Sequence, residues 1–140
     1  MSNPARLVVP EDTIAAETLD GETVALDLVS GAYYSLAGVA SDIWLLTAMG
    51  LTVDETVEVL VGRYDVDPET AEADVAALRS GLLEASLVEV ADRAAPPAVR
   101  LDPPTASYAT PELVTYHDMA DLLALDPPLP GLSGMPTTDG

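Results

Sequence analysis

The stretch Glu22-Thr23-Val24-Ala25-Leu26-Asp27-Leu28-Val29-Ser30-Gly31-Ala32-Tyr33-Tyr34-Ser35-Leu36-Ala37-Gly38-Val39-Ala40-Ser41-Asp42-Ile43-Trp44 decides the fold. Val24, Leu26 and Leu28 recur at every second residue. That is the period of a half-buried strand, with Glu22, Thr23 and Asp27 left to solvent. Ser30-Gly31 marks a turn, and Ala32–Leu36 reads as the next strand. From Gly38 the period changes: Val39, Ile43, Trp44 and Leu46 take mixed three-and-four spacing, a short buried helix closed by Gly50. Trp44 in that stripe is core filler. Upstream, Thr13–Leu19 alternates weakly and ends at Asp20-Gly21, a dipeptide suited to the positive φ of a two-residue hairpin. Three short antiparallel strands are expected, preceded by a loose terminus at Met1–Arg6 and the apolar lead-in Leu7-Val8-Val9-Pro10.

Two further helices follow. Thr52-Val53-Asp54-Glu55 fits a capping box, in which the threonine hydroxyl and the glutamate carboxylate each reach the other's backbone N–H. Val53, Val57, Leu60, Val61 and Tyr64 then form one apolar stripe that stops near Asp65. Asp67-Pro68-Glu69 opens the third helix with an acidic N-cap, proline in the first turn and a carboxylate at the positive helix end. Ala71, Val75, Leu78 and Leu82 lie four, three and four apart, and Leu83 widens the stripe. Gly81 weakens the last turn by up to about 1 kcal/mol relative to alanine. Leu87-Val88-Glu89-Val90 is a closing strand or an extended exit. The fold class is α+β: a three-stranded antiparallel sheet followed by three helices, compact over residues 7–92.

Residues 93–107 are a Pro/Ala-rich linker, the change in composition beginning at Ala91; the two proline pairs make it semi-stiff. Structure-forming residues return over 108–126. Tyr108–Tyr116 can lie extended, and Met119, Leu122 and Leu123 fall at helical spacing. Residues 127–140 hold little to bury and are expected to be disordered.

Composition excludes several classes of chemistry. The chain has 140 residues, no cysteine and a single histidine, His117. Disulfides, thiolate catalysis and Cys-based zinc sites are therefore absent. The carboxylates sit on solvent faces without the spacing of a calcium loop, so no metal site is read. Asp65/Asp67 and Asp118/Asp121 are caps and solvated faces, not acid–base dyads. The glycines are isolated, which leaves no phosphate cradle, and there is no serine nucleophile elbow. The chain reads as a non-enzyme with no cofactor. Its net charge of −19 repels nucleic acid and anionic membranes alike. With no signal-peptide pattern and no apolar run of membrane-spanning length, a cytoplasmic location is expected.

The stretch Leu26–Leu36 with Val39-Ala40 and Ile43-Trp44 resembles the PqqD-like family. So do Leu51–Glu55, Tyr64–Glu69, Asp74-Val75 and Leu82–Val88, in unbroken order over about residues 7–92. The resemblance implies a small winged-helix-like fold and the role of a recognition element. Such an element binds the leader of a ribosomally made precursor peptide and presents the rest to a peptide-modifying enzyme. The leader would add as a strand to Ala32, Tyr33, Tyr34, Ser35 and Leu36, with Val75, Leu78, Arg79 and Leu82 of the third helix lining a groove. Physical reasoning agrees, because an exposed strand edge offers unpaired N–H and C=O groups. Arg79 is the candidate to meet an acidic leader. The alternatives are a structural adaptor whose tail is the interaction motif, and a winged-helix DNA reader, which a lone arginine on the third helix disfavours.

Tyr108-Ala-Thr-Pro111-Glu-Leu113 resembles the Tyr-x-x-Pro-x-Leu motif of lasso-peptide leaders, with His117 where that pattern has glycine. The tail could therefore occupy its own groove. The seventeen residues Ala91–Ser107 reach at most about 56 Å, against a domain radius of gyration of about 12 Å. Docking of the tail on a partner protein is expected slightly ahead of self-docking.

Overall fold

The structure, a computed structural model, describes residues 5–97, 99–101, 103–104 and 106–116. The expectations for residues 1–4, for His117–Asp126 and for 127–140 lie outside them. The elements are β1 (Arg6–Val8), β2 (Ile14–Leu19), β3 (Glu22–Asp27), β4 (Tyr33–Ala37), α1 (Val39–Met49), α2 (Val53–Arg63), α3 (Pro68–Glu84), β5 (Glu89–Ala91) and β6 (Val114–Tyr116). The α+β class holds; four strands precede the three helices, and two short ones, β5 and β6, follow them.

The expected single three-stranded sheet is corrected. One antiparallel sheet has four strands in the order β2-β3-β4-β6, and a separate two-stranded sheet pairs β1 with β5. The apolar lead-in at Leu7 was thus a strand without a visible partner: Leu7 faces Val90, more than eighty positions away in the chain. A three-residue strand carries too little alternation to announce itself. The fourth strand of the larger sheet comes from beyond the linker.

Local chemistry sets the element ends. Asp20 and Gly21 take φ of 54° and 79°, and Leu19 pairs directly with Glu22, so the turn is the two-residue hairpin. Thr52 accepts from the Glu55 N–H while Glu55 Oε1 accepts from the Thr52 N–H at 3.0 Å, the reciprocal capping box. Asp67 caps α3 by accepting from the Thr70 N–H at 3.1 Å, with Pro68 in the first turn.

The face assigned to β3 is also corrected. Thr23 and Ala25 are fully buried, whereas Val24 and Leu28 are 39% and 55% exposed. The register explains it: Thr23 sits opposite Leu36 and Ala25 opposite Tyr34, and that face packs under α1. Small side chains let the helix approach. The Thr23 hydroxyl is satisfied there by Ser41 at 2.7 Å and by Thr18 at 2.6 Å, so a polar residue can be buried without leaving an open hydrogen bond. The core joins Leu7, Ile14, Leu36, Ile43, Trp44, Leu60, Val75, Leu82 and Leu87.

Candidate functional site: the β4 edge and the groove along α3

β4 is hydrogen-bonded to β3 on one side. Its side chains alternate: Tyr34 and Leu36 enter the core, while Tyr33 and Ser35 are half-buried on the other face. The strand's open flank therefore offers mainly backbone N–H and C=O groups, beside the surface of α3. Ala32 falls just before the strand, and its carbonyl accepts from the Asp27 N–H at 2.9 Å.

The tail takes that flank. β6 pairs antiparallel with β4, placing Tyr116 opposite Tyr33, Thr115 opposite Tyr34 and Val114 opposite Ser35. The Tyr33 and Tyr116 rings meet edge to face with centroids 6.4 Å apart. Self-docking, placed second from the sequence, is the arrangement in the structure.

Upstream of β6 the tail runs along α3. Asp74, Leu78 and Gly81 stand four and three apart, so they share one stripe of the helix. Tyr108 sits over the first of them. Its hydroxyl donates to Asp74 Oδ2 at 2.5 Å, and its ring meets Tyr64 edge to face at 5.7 Å. The Tyr64 ring is in turn fixed by its hydroxyl, which donates to Asp42 Oδ2 at 2.5 Å, and by Arg63, whose guanidinium lies 5.6 Å from the ring centre. Arg63 Nε also bonds Asp42 at 3.0 Å. Burial, the bond to Asp74 and the charges of Asp74 and Asp67 raise the Tyr108 phenol above its ordinary range, so its proton stays in place to donate. Leu113 packs on the core at the other end of the stripe, where a Cβ added to Gly81 would lie 3.7 Å from Leu113 Cδ2. Pro111 is half-buried between them.

The residues expected in the groove separate into two groups. Tyr33, Tyr34 and Ser35 form the paired edge, and Leu78 falls between Asp74 and Gly81 on α3, buried at 5% exposure. Val75 and Leu82 are fully buried in the core. Arg79 points elsewhere: only 4% exposed, it donates to the carbonyls of Leu51 at 2.8 Å and Ala5 at 2.9 Å. It ties the N-terminal segment to the α1–α2 connection and is not available to a ligand in the groove.

Two comparisons bear on these features. Residues 22–88 match the family described as coenzyme PQQ synthesis protein D (PqqD). A solved structure described as TbiB1 in complex with the TbiA(beta) leader peptide superposes with a TM-score of 0.55 at 32% identity, over 59% of this chain and 94% of that one. The chain belongs to the PqqD family. Comparison with the curated proteins returned no match.

Within this PqqD-family chain, sequence reasoning missed Tyr64, Asp74, Gly81 and Tyr116 as groove residues. Asp74 had only its place one residue before Val75 to mark it, and Gly81 read as a helix defect. Their common signal was the i, i+7 spacing of Asp74 and Gly81, which sets both on one face of α3 two turns apart. No group of side chains among the described residues could hold a metal ion, and no helix among them is long and apolar enough to cross a membrane.

Proposed function

We propose that this PqqD-family protein binds the leader of a ribosomally synthesised precursor peptide by strand addition to β4 and presents the remainder to a peptide-modifying enzyme. The observation that carries the reading is the β4 flank itself, which takes up an extended segment from outside the sheet in antiparallel register. The likeness to a protein solved with a leader peptide supports it. Backbone pairing supplies affinity in such a site, and the side-chain seats beside it supply selectivity.

We assign the binding domain to residues 7–92 and read its sheet and three helices as winged-helix-like. The linker spans 93–107 and the leader-like tail starts at Tyr108. The proposed contacts are Ala32, Tyr33, Tyr34, Ser35 and Leu36 on the edge, with Val75, Leu78 and Leu82 supporting the groove from beneath. Tyr108, Pro111 and Leu113 hold the place of leader residues. The protein works without catalysis of its own, and we place it in the cytoplasm. The only cation of α3 is the buried Arg79, which speaks against a DNA reader. The docked tail speaks against an adaptor that displays it.

The test is fluorescence anisotropy with labelled leader peptides carrying the Tyr-x-x-Pro-x-Leu pattern, comparing the natural chain with Ser35→Pro. Proline removes an edge N–H and cannot join a ladder. Saturable binding that Ser35→Pro weakens at least tenfold is expected. Absent binding, or binding indifferent to that substitution, overturns the reading.

A further inference from the structure

The flank of β4 that would receive a peptide is already paired along Tyr33, Tyr34 and Ser35. Each ladder N–H and C=O on that side has one strand's worth of capacity, so a second strand cannot join while β6 is there. The occupant is held at three separated points: the Tyr108 phenol on Asp74, Leu113 over Gly81 and β6 on β4. It is also tethered from a fixed origin. β5 is clasped to β1, and Arg93 Nη1, just past β5, donates to the carbonyls of Leu7 at 2.9 Å and Ala48 at 3.2 Å. From there the linker passes α2, with Val99, Arg100 and Leu101 beside Val59 and Gly62, and reaches the Tyr64 side of the domain. Both ends of the linker are therefore anchored on one copy of the chain.

We propose that residues 108–116 are a tethered plug of the peptide groove, so that the resting protein is closed and a peptide enters only by displacing them. Self-occupancy stands on the contacts alone; the displacement of a leader rests on the reading of β4 as the leader site. A tethered segment acts at about millimolar effective concentration. If the free segment binds at about 10 µM, the groove is closed in about 99 of 100 molecules. An incoming peptide then binds about a hundredfold more weakly than to an open groove. The tail thereby sets an affinity threshold that weakly matching peptides do not cross.

The probe for the test is a fluorescein-labelled peptide of this chain's own residues 106–117. Its affinity is measured for three proteins: the full chain, the full chain carrying Tyr108→Ala and Leu113→Ala, and a chain ending at Pro104. The last keeps every buried residue of the core, all of which lie between Leu7 and Val88. The expected result is binding at least tenfold tighter to both disabled forms than to the full chain, which sediments as a monomer. Equal affinity for all three proteins overturns the plug. So does no binding to either disabled form, and so does a full-chain dimer, in which the tail would come from a second copy. Failure of the leader reading is distinguishable: the plug peptide would open and close the groove as expected while no precursor leader competed with it on the chain ending at Pro104.

Discussion

Tyr108 joins the tail to the domain through its ring on Tyr64 and its hydroxyl on Asp74, and the hydroxyl makes the docking sensitive to pH at the alkaline end. The phenol is raised by burial first, then by its bond to Asp74 and by nearby negative charge. Its folded pKa lies above its unfolded one, so its contribution is complete below the ordinary tyrosine value of 10.0 and is lost as pH rises through the raised value. Tyr34 and Tyr64 are raised as well, each chiefly by burial. The isolating measurement is the difference in tyrosinate absorbance between the natural chain and Tyr108→Phe, where one late-titrating phenol should vanish. The same substitution removes a hydrogen bond to a carboxylate and should lower hydrogen-exchange protection of Val114–Tyr116 by about fivefold to tenfold. Glu55 governs the acid side. It accepts from Arg6 at 2.7 and 3.1 Å and from the Thr52 N–H at 3.0 Å, which pushes its pKa down to about 2 from 4.5. Its contribution is present above pH 4.5 and is lost as pH falls toward 2. Glu55→Gln should flatten the acid limb of a urea-stability profile over that window. Arg79 acts inside the core, where Arg79→Met would leave the carbonyls of Leu51 and Ala5 without their donor. A loss of roughly 2–4 kcal/mol is expected in urea unfolding.

At the scale of elements, α3 serves two masters. Its Val75, Leu78 and Leu82 build the core, while Asp74 and Gly81 meet the tail. Gly81 has no positive φ, and a Cβ there would only make ordinary contact with Leu113. Gly81→Ala should therefore raise stability by roughly 0.5–1 kcal/mol in urea unfolding while Val114–Tyr116 keep their exchange protection. Most elements were legible because their determinants are local: the Asp20-Gly21 hairpin, the Thr52/Glu55 box, and the Asp67-Pro68 start of α3. The faces were less so. Alternation in β3 promised Val24 and Leu26 to the core. The packed side instead holds Thr23 and Ala25, because the approach of α1 rewards small residues and Ser41 supplies the hydroxyl partner. β1, β5 and β6 depend on partners distant in sequence, and three residues of pattern cannot specify such a pairing. Along the β4 flank, Tyr33, Tyr34 and Ser35 were legible as an edge because their strand is, and β6 pairs with them. Asp74, Gly81 and Tyr64 were not, since each matters only for what lies across from it.

Over the described residues, the domain is clasped where β1 meets β5, and the tail returns across α2 and α3 to the sheet. Its hold on the groove depends on covalent continuity as much as on contacts. The chain has five arginines and no lysine. Arg6, Arg63, Arg79 and Arg93 are each engaged within the fold, while Arg100 stands exposed on the linker. Brief trypsin treatment should therefore cut first between Arg100 and Leu101, which mass spectrometry would register as two fragments. That single nick leaves Tyr108 on Asp74, Leu113 on Gly81 and β6 on β4, yet it converts a tethered segment into an ordinary bound peptide. On dilution to nanomolar protein the fragment should leave, and gel filtration should recover the domain without it. A proteolytic event in the linker is thus an irreversible unlocking of the groove, achieved without altering any residue that lines it.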